Sequence, residues 1–147
     1  MSSRSILLLL ALLLSGVAIA RAGDPPALRA IATTDTDAVH PDDVFDVTLS
    51  LQNLSAATEK VRIPECGWDR CWKSSNSRVT WDFWNCDDTA EVTIEIPPHG
   101  TYEFPKPLKM FVDEDFKQSR VTFKMGFKTR GFGKIAWSAP ISLDVSP

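Results

Sequence analysis

The sequence predicts an all-β protein, an antiparallel Ig-like β-sandwich of about seven to nine strands. Apolar and polar residues alternate along several short segments, as they do in strands that bury one face. Clusters of turn-forming residues separate these segments. No convincing amphipathic helix lies between them, and this absence argues against a parallel α/β sheet.

The predicted strands follow one another along the whole chain after residue 27. The clearest alternation occurs in 45–51, 92–96, 121–127 and 141–145, and shorter candidates are 28–34, 61–63, 79–83, 101–104 and 134–137. Turn signals occur at 40–43, 53–55, 97–100 and 130–133. The stretch near 112–118 is short and acidic, and it is the one mature segment that would permit a helix.

The N-terminal segment predicts export. Arg4 precedes the apolar run Ile6–Leu14, and Ala20 and Ala22 are the small residues that a signal peptidase accepts before its cleavage point. We therefore expect residues 1–22 to be a cleaved signal peptide and residues 23–147 to form one Ig-like domain. The apolar run is shorter than the roughly 20 residues that span a membrane. We expect no membrane span after cleavage, and a location in the periplasm or the extracellular space.

The charge balance indicates what the domain does not bind. The chain has a formal net charge of −3, and removal of Arg4 and Arg21 with the signal peptide takes this value to −5. A nucleic-acid binder needs a basic face to neutralise phosphates. We therefore expect no nucleic-acid partner.

The three cysteines predict one disulfide. In an oxidising compartment two of them pair. We favour Cys66–Cys86, because these residues bracket a segment whose ends can return to each other as a hairpin, and this pairing leaves Cys71 as a thiol. A Cys66–Cys71 bridge that closes a tight loop stays an alternative. The spacing has no second ligand pair and no nearby histidine, so we expect no zinc site.

The segment 66–86 contains four of the five tryptophans, Trp68, Trp72, Trp81 and Trp84. One interpretation is structural: Trp81 and Phe83 point to the core, and the disulfide fixes a long loop to the sandwich. The other interpretation is a recognition surface of Trp68, Trp72, Trp84 and Arg70. Alternation along Val79, Trp81 and Phe83 places Trp84 on the opposite side, which favours at least one exposed ring.

The remaining polar residues predict no catalytic set. His40 and His99 each lie in a proline-containing turn, and Ser74 and Ser75 lack the glycines of a nucleophile elbow. The acidic pairs Asp42-Asp43 and Asp87-Asp88 and the triplet Asp113-Glu114-Asp115 lack the spacing of a calcium loop. We expect no enzymatic activity, no metal and no cofactor. Asn53-Leu54-Ser55 also matches a glycosylation sequon, although it more simply fits a turn.

Two segments resemble a known family. The pattern Phe45-x-Val-x-Leu-x-Leu-x-Asn53-x-Ser55 and the later step Ile96–Glu103 are similar to the strand and turn motifs of the bacterial intracellular proteinase inhibitor domain. The resemblance covers 44–104 and implies an Ig-like sandwich and an inhibitory role. The chain departs from that pattern through its predicted signal peptide, its His99 and its Cys/Trp-rich insert.

These observations rank three functions. The first is a secreted, non-catalytic Ig-like module that binds a protein partner or has an accessory structural role. An alternative is a carbohydrate-binding module that stacks a polysaccharide on the Trp-rich segment 66–86. A further alternative is a proteinase inhibitor-like domain.

Overall fold

The computed structural model describes residues 27–86, 90–128 and 134–146. The predicted signal peptide and the predicted turn at 130–133 lie outside these residues. The described residues form thirteen strands and one 3₁₀ helix. In chain order they are β1 (Leu28–Thr33), β2 (Ala38–Val39), β3 (Val44–Asn53), β4 (Glu59–Pro64), the 3₁₀ helix (Trp68–Cys71), β5 (Trp72–Ser74), β6 (Val79–Trp81), β7 (Glu91–Ile96), β8 (Thr101–Glu103), β9 (Leu108–Val112), β10 (Arg120–Phe123), β11 (Met125–Phe127), β12 (Ala136–Trp137) and β13 (Ile141–Val145).

The longest strand, β3, organises the first sheet. It pairs antiparallel with β1 on one side and with both β8 and β9 on the other, and β6 pairs antiparallel with β9. Between β8 and β9 the backbone N–H of Phe104 donates to the carbonyl of Leu49 at 3.0 Å. The pairing with β3 therefore continues across the connection between β8 and β9, which brings Phe104 into the interior.

The strand β10–β11 organises the opposite layer. Only Lys124 separates its two halves. The half β10 pairs with β13, and β11 pairs with β12 on one side and with β5 on the other. The short β2 adds to β13 in parallel. Strands β4 and β7 form a separate antiparallel pair, in which Lys60 lies opposite Glu95 and forms an ion pair of 2.8 Å.

The core lies between the two layers. Along β3, Phe45, Val47, Leu49 and Leu51 are buried, while the residues between them are more exposed. Across the sandwich the ring of Phe45 contacts that of Phe123 in β10, with centroids 6.2 Å apart. Because each strand turns one face inward, burial of these side chains supplies the main stabilisation of the fold.

The predicted all-β sandwich is confirmed. The strands are more numerous than predicted because the long segment at 121–127 divides at Lys124, and because three strands were not predicted. These are β9 and the short strands β2 and β5, which carry too few residues to show alternation. The acidic stretch near 112–118 forms no helix. Instead β9 ends at Val112 and a tight turn follows, in which the N–H of Phe116 donates to the carbonyl of Asp113 and the ring of Phe116 is buried.

The predicted turn at 53–55 is built around a buried amide. The Oδ1 of Asn53 accepts the N–H of Ser55 at 2.8 Å, as in an Asx-turn. Its Nδ2 lies within 3.1 Å of the carbonyl oxygens of Ala57, Ile96 and Pro97. Because Asn53 is fully buried, the folded domain does not present this nitrogen as a glycosylation acceptor.

Candidate binding site

A disulfide closes the Trp-rich segment 66–86. Cys66 and Cys86 are bonded, with their Cα atoms 6.0 Å apart, so the predicted pairing is confirmed. Cys71 lies outside the disulfide and is half-buried. The bridge ties the start of the 3₁₀ helix to the chain that leaves β6, and it therefore fixes both ends of the segment.

The 3₁₀ helix begins at a glycine in the left-handed region. Gly67 has φ 82° and ψ 23°, and its carbonyl accepts the N–H of Arg70 at 3.1 Å. A side chain at this φ is strained, whereas glycine adopts it without cost. Gly67 therefore sets the direction in which Trp68 and Asp69 enter the interior.

We expect Gly67→Ala to lower the free energy of unfolding by about 1–2 kcal/mol, because alanine is disfavoured at positive φ. The measurement is urea-induced unfolding followed by tryptophan fluorescence. Asparagine tolerates the left-handed region better than alanine, so the matched variant Gly67→Asn is expected to lose less. Equal losses in the two variants would show that crowding, rather than φ, determines the cost.

The structure places two of the predicted binding tryptophans in the core. Trp68 is 4% exposed and Trp72 is 3% exposed. Trp68 packs on Phe104 with ring centroids 4.6 Å apart, and Trp72 packs on Phe127 at 5.1 Å. The prediction that these rings form a solvent-exposed surface is therefore wrong for Trp68 and Trp72. The short 3₁₀ helix turns both rings inward, where their large apolar area is removed from water.

Phe104 lies at the centre of this aromatic cluster. Besides Trp68, its ring contacts Trp72 at 5.4 Å, Tyr102 at 5.2 Å and Phe127 at 5.9 Å. The contacts with Trp72 and Tyr102 are edge-to-face, a geometry that aromatic pairs prefer. The cluster joins the 66–86 segment to strands of both layers.

A buried carboxylate positions Trp84. Asp69 is fully buried, and its Oδ2 accepts the backbone N–H of Trp84 at 3.1 Å. The ring of Trp84 meets that of Trp68 edge-on, with centroids 4.9 Å apart. On the other side the Nζ of Lys106 lies 5.7 Å from the Trp84 centroid, within cation–π range. Trp84 is therefore half-buried and held from three directions.

The exposed part of the segment matches the predicted binding residues only in part. Arg70 is exposed, as expected for a binding residue, and Trp84 keeps part of its ring in solvent. Phe83 is 57% exposed although alternation along β6 places it toward the core. The reason is that β6 ends at Trp81, so the alternation stops there. The ring of Phe83 contacts the buried ring of Trp81, with centroids 5.5 Å apart, and is otherwise largely in solvent.

We call the set Arg70, Phe83, Trp84 and Lys106 the aromatic–basic surface. Sequence reasoning did not identify Lys106, because it belongs to the β8–β9 connection and reaches Trp84 through the tertiary fold. It also did not single out Trp137, the fifth tryptophan, which is 37% exposed on β12. A lone tryptophan in a two-residue strand gives no pattern that distinguishes it from a core residue.

The described residues contain no group of three or more His, Cys, Asp or Glu side chains placed to hold a metal ion. Within the same residues no helix is long and apolar enough to cross a membrane. No family model, curated protein or solved structure matches the chain.

Proposed function

We propose that the chain is an exported, non-catalytic Ig-like module that binds a protein partner through the aromatic–basic surface. The observations that carry this proposal are the exposure of Phe83 and Arg70 in the segment that the disulfide closes, and the position of the Lys106 ammonium 5.7 Å from the ring of the half-buried Trp84. Aromatic rings and arginine dominate the binding energy of protein interfaces. A surface that combines aromatic and basic side chains is complementary to a partner surface with both apolar and acidic groups.

The rigidity of the surface supports the proposal. The Cys66–Cys86 bridge, the Asp69–Trp84 hydrogen bond and the packing of Trp84 on Trp68 each restrain the same segment. A preorganised surface loses little conformational entropy when a partner binds. The ring of Phe83 is largely exposed and therefore contributes little to the stability of the fold.

A stacking platform for polysaccharide within 66–86 has less support, because only Trp84 among the three predicted rings reaches solvent. The inhibitor-like alternative is separated by a protease assay: inhibition that survives Phe83→Ser/Arg70→Glu would exclude these exposed side chains as the inhibitory element. The disulfide supports export, because such bonds persist in oxidising compartments such as the periplasm or the extracellular space.

We expect the double variant Phe83→Ser/Arg70→Glu to reduce capture of partner proteins from the native extracellular or envelope fraction by at least about tenfold. Capture is measured by immobilising the folded domain and quantifying bound proteins by mass spectrometry. The matched control is Val44→Ser, which removes an apolar side chain that is 63% exposed on β3. A partner retained equally by both variants would contradict the proposed surface.

A further inference from the structure

A second surface lies on the outer face of the strands β5, β11 and β12. Gly126 in β11 is opposite Lys73 in β5 and opposite Trp137 in β12. Residues directly opposite in antiparallel strands share a face of the sheet. Lys73, Gly126 and Trp137 therefore form one row across three strands.

The indole of Trp137 occupies the space that a side chain at position 126 would fill. A Cβ at Gly126 would lie 2.6 Å from Cζ3 and 2.7 Å from Cε3 of Trp137, and 2.7 Å from Cγ2 of Ile135. The benzene half of the indole therefore lies over Gly126 and shields this backbone from water. The Nζ of Lys73 is 5.1 Å from the ring centroid, and 37% of Trp137 remains exposed.

Two further lysines border this row. Lys124 and Lys128 lie two residues before and two residues after Gly126, so they point to the same face. Their backbones stay in register with the neighbouring chain, because the carbonyl of Lys124 accepts the N–H of Ser75 at 2.9 Å and the N–H of Lys128 donates to Cys71 at 2.8 Å. At about 3.3 Å per residue the two Cα atoms are roughly 13 Å apart. We call Lys73, Lys124, Lys128 and Trp137 the lysine–Trp137 face.

No lysine of this face forms an ion pair with another of the described residues. Among the described residues the ion pairs use Lys60, Arg78, Lys109 and Arg120, and none uses Lys73, Lys124 or Lys128. All three are exposed. The chain as a whole carries a net charge of −3. On a protein with a net negative charge, a local cluster of lysines without ion pairs attracts anions to this face.

We propose that the lysine–Trp137 face binds an acidic polysaccharide whose sugar rings carry carboxylates. The exposed indole lies along the sheet and offers a flat apolar surface, on which the C–H face of a sugar ring packs. The ammonium of Lys73 lies over that ring, 5.1 Å from its centroid. A sugar that packs on the indole displaces this ammonium, which then reaches a carboxylate on the same sugar, and Lys124 and Lys128 meet carboxylates of neighbouring sugars. An acidic peptide would use the lysines but has no need of the indole.

This inference is independent of the proposed protein-binding function, because the two surfaces share no residue. The aromatic–basic surface uses Arg70, Phe83, Trp84 and Lys106, whereas the lysine–Trp137 face uses side chains on the outer face of β5, β11 and β12. Failure of either proposal therefore leaves the other intact.

The first test removes the charges. Binding of oligogalacturonate to the whole protein is measured by isothermal titration calorimetry, with neutral dextran oligomers as a comparison. We expect the triple variant Lys73→Gln/Lys124→Gln/Lys128→Gln to bind about tenfold more weakly, roughly twofold for each solvated lysine. The matched variant Lys60→Gln/Lys109→Gln/Lys117→Gln loses the same net charge and is expected to bind normally. Equal loss in both variants, or no binding of oligogalacturonate to the unaltered protein, overturns the proposal.

The second test separates a polysaccharide from an acidic protein partner. The variant Trp137→Leu keeps an apolar cover over Gly126 but removes the flat ring. We expect it to bind oligogalacturonate about tenfold more weakly and to bind polyglutamate as the unaltered protein does. If Trp137→Leu binds both probes normally and polyglutamate binds as tightly as oligogalacturonate, the face is a simple cation cluster for acidic proteins. Circular dichroism of each variant verifies that the sheet structure is unchanged.

Discussion

Replacing Phe104 by alanine is expected to lower the free energy of unfolding by about 4 kcal/mol. The ring is buried and contacts four other aromatic rings, those of Trp68, Trp72, Tyr102 and Phe127. Alanine would remove the transfer free energy of the ring and leave a cavity that its large, rigid neighbours cannot fill. Urea-induced unfolding monitored by far-UV circular dichroism measures the loss.

Two variants control this result. Phe104→Leu keeps most of the apolar volume, and we expect it to lose only about 1.5 kcal/mol. Phe83→Ala removes the same ring from an exposed position and is expected to change the stability by less than about 0.5 kcal/mol. If Phe104→Ala and Phe83→Ala had similar effects, Phe104 would not be the centre of the cluster.

The alternation in the sequence predicted most of the strands correctly. The alternation is informative because each layer has a buried face and an exposed face. Buried and exposed side chains therefore alternate along strands such as β3 and β7. Strand β9 was missed although Leu108, Met110 and Val112 alternate. The acidic residues that follow Val112 suggested a helix, and two prolines precede the strand at 105 and 107.

The candidate site was predicted less well than the fold. The favoured disulfide Cys66–Cys86 is confirmed, although the spacing of the cysteines alone left a Cys66–Cys71 bridge as an alternative. Which tryptophans face solvent was not predictable. That outcome depends on the 3₁₀ helix, the buried Asp69 and the distant Phe104, and these act through contacts between residues far apart in sequence.

The same limit explains why the lysine–Trp137 face was not identified from the sequence. Lys73 and Trp137 are separated by more than half of the domain, and their proximity depends on the register of β5 and β12 with β11. Gly126 gave no signal, since a glycine within an alternating strand has several explanations. The row of Lys73, Gly126 and Trp137 depends on the pairing of three strands, which the sequence pattern does not determine.

Removing the Cys66–Cys86 disulfide is expected to lower the free energy of unfolding by about 3 kcal/mol. The two cysteines are separated by 20 positions, and a covalent loop of this size restricts the unfolded chain by an entropy of that magnitude. The measurement compares urea-induced unfolding of Cys66→Ala/Cys86→Ala with that of the unaltered protein. Dithiothreitol is expected to lower the stability of the unaltered protein by a similar amount and to leave that of the double variant unchanged.

The control variant Cys71→Ala keeps the bridge, and its free energy of unfolding is expected to fall by less than about 1 kcal/mol.

The loss of the bridge is also expected to weaken binding, because Cys86 lies two residues after Trp84. Without the bridge, Trp84 is held by the hydrogen bond from its backbone N–H to Asp69 and by the contact of its ring with Trp68, which restrain this residue but not the chain that follows it. We therefore expect the double variant to capture its protein partner more weakly even under conditions in which it is fully folded, since part of the binding free energy would then be spent on ordering the segment. Normal capture by the folded double variant would show that the core contacts alone preorganise the aromatic–basic surface.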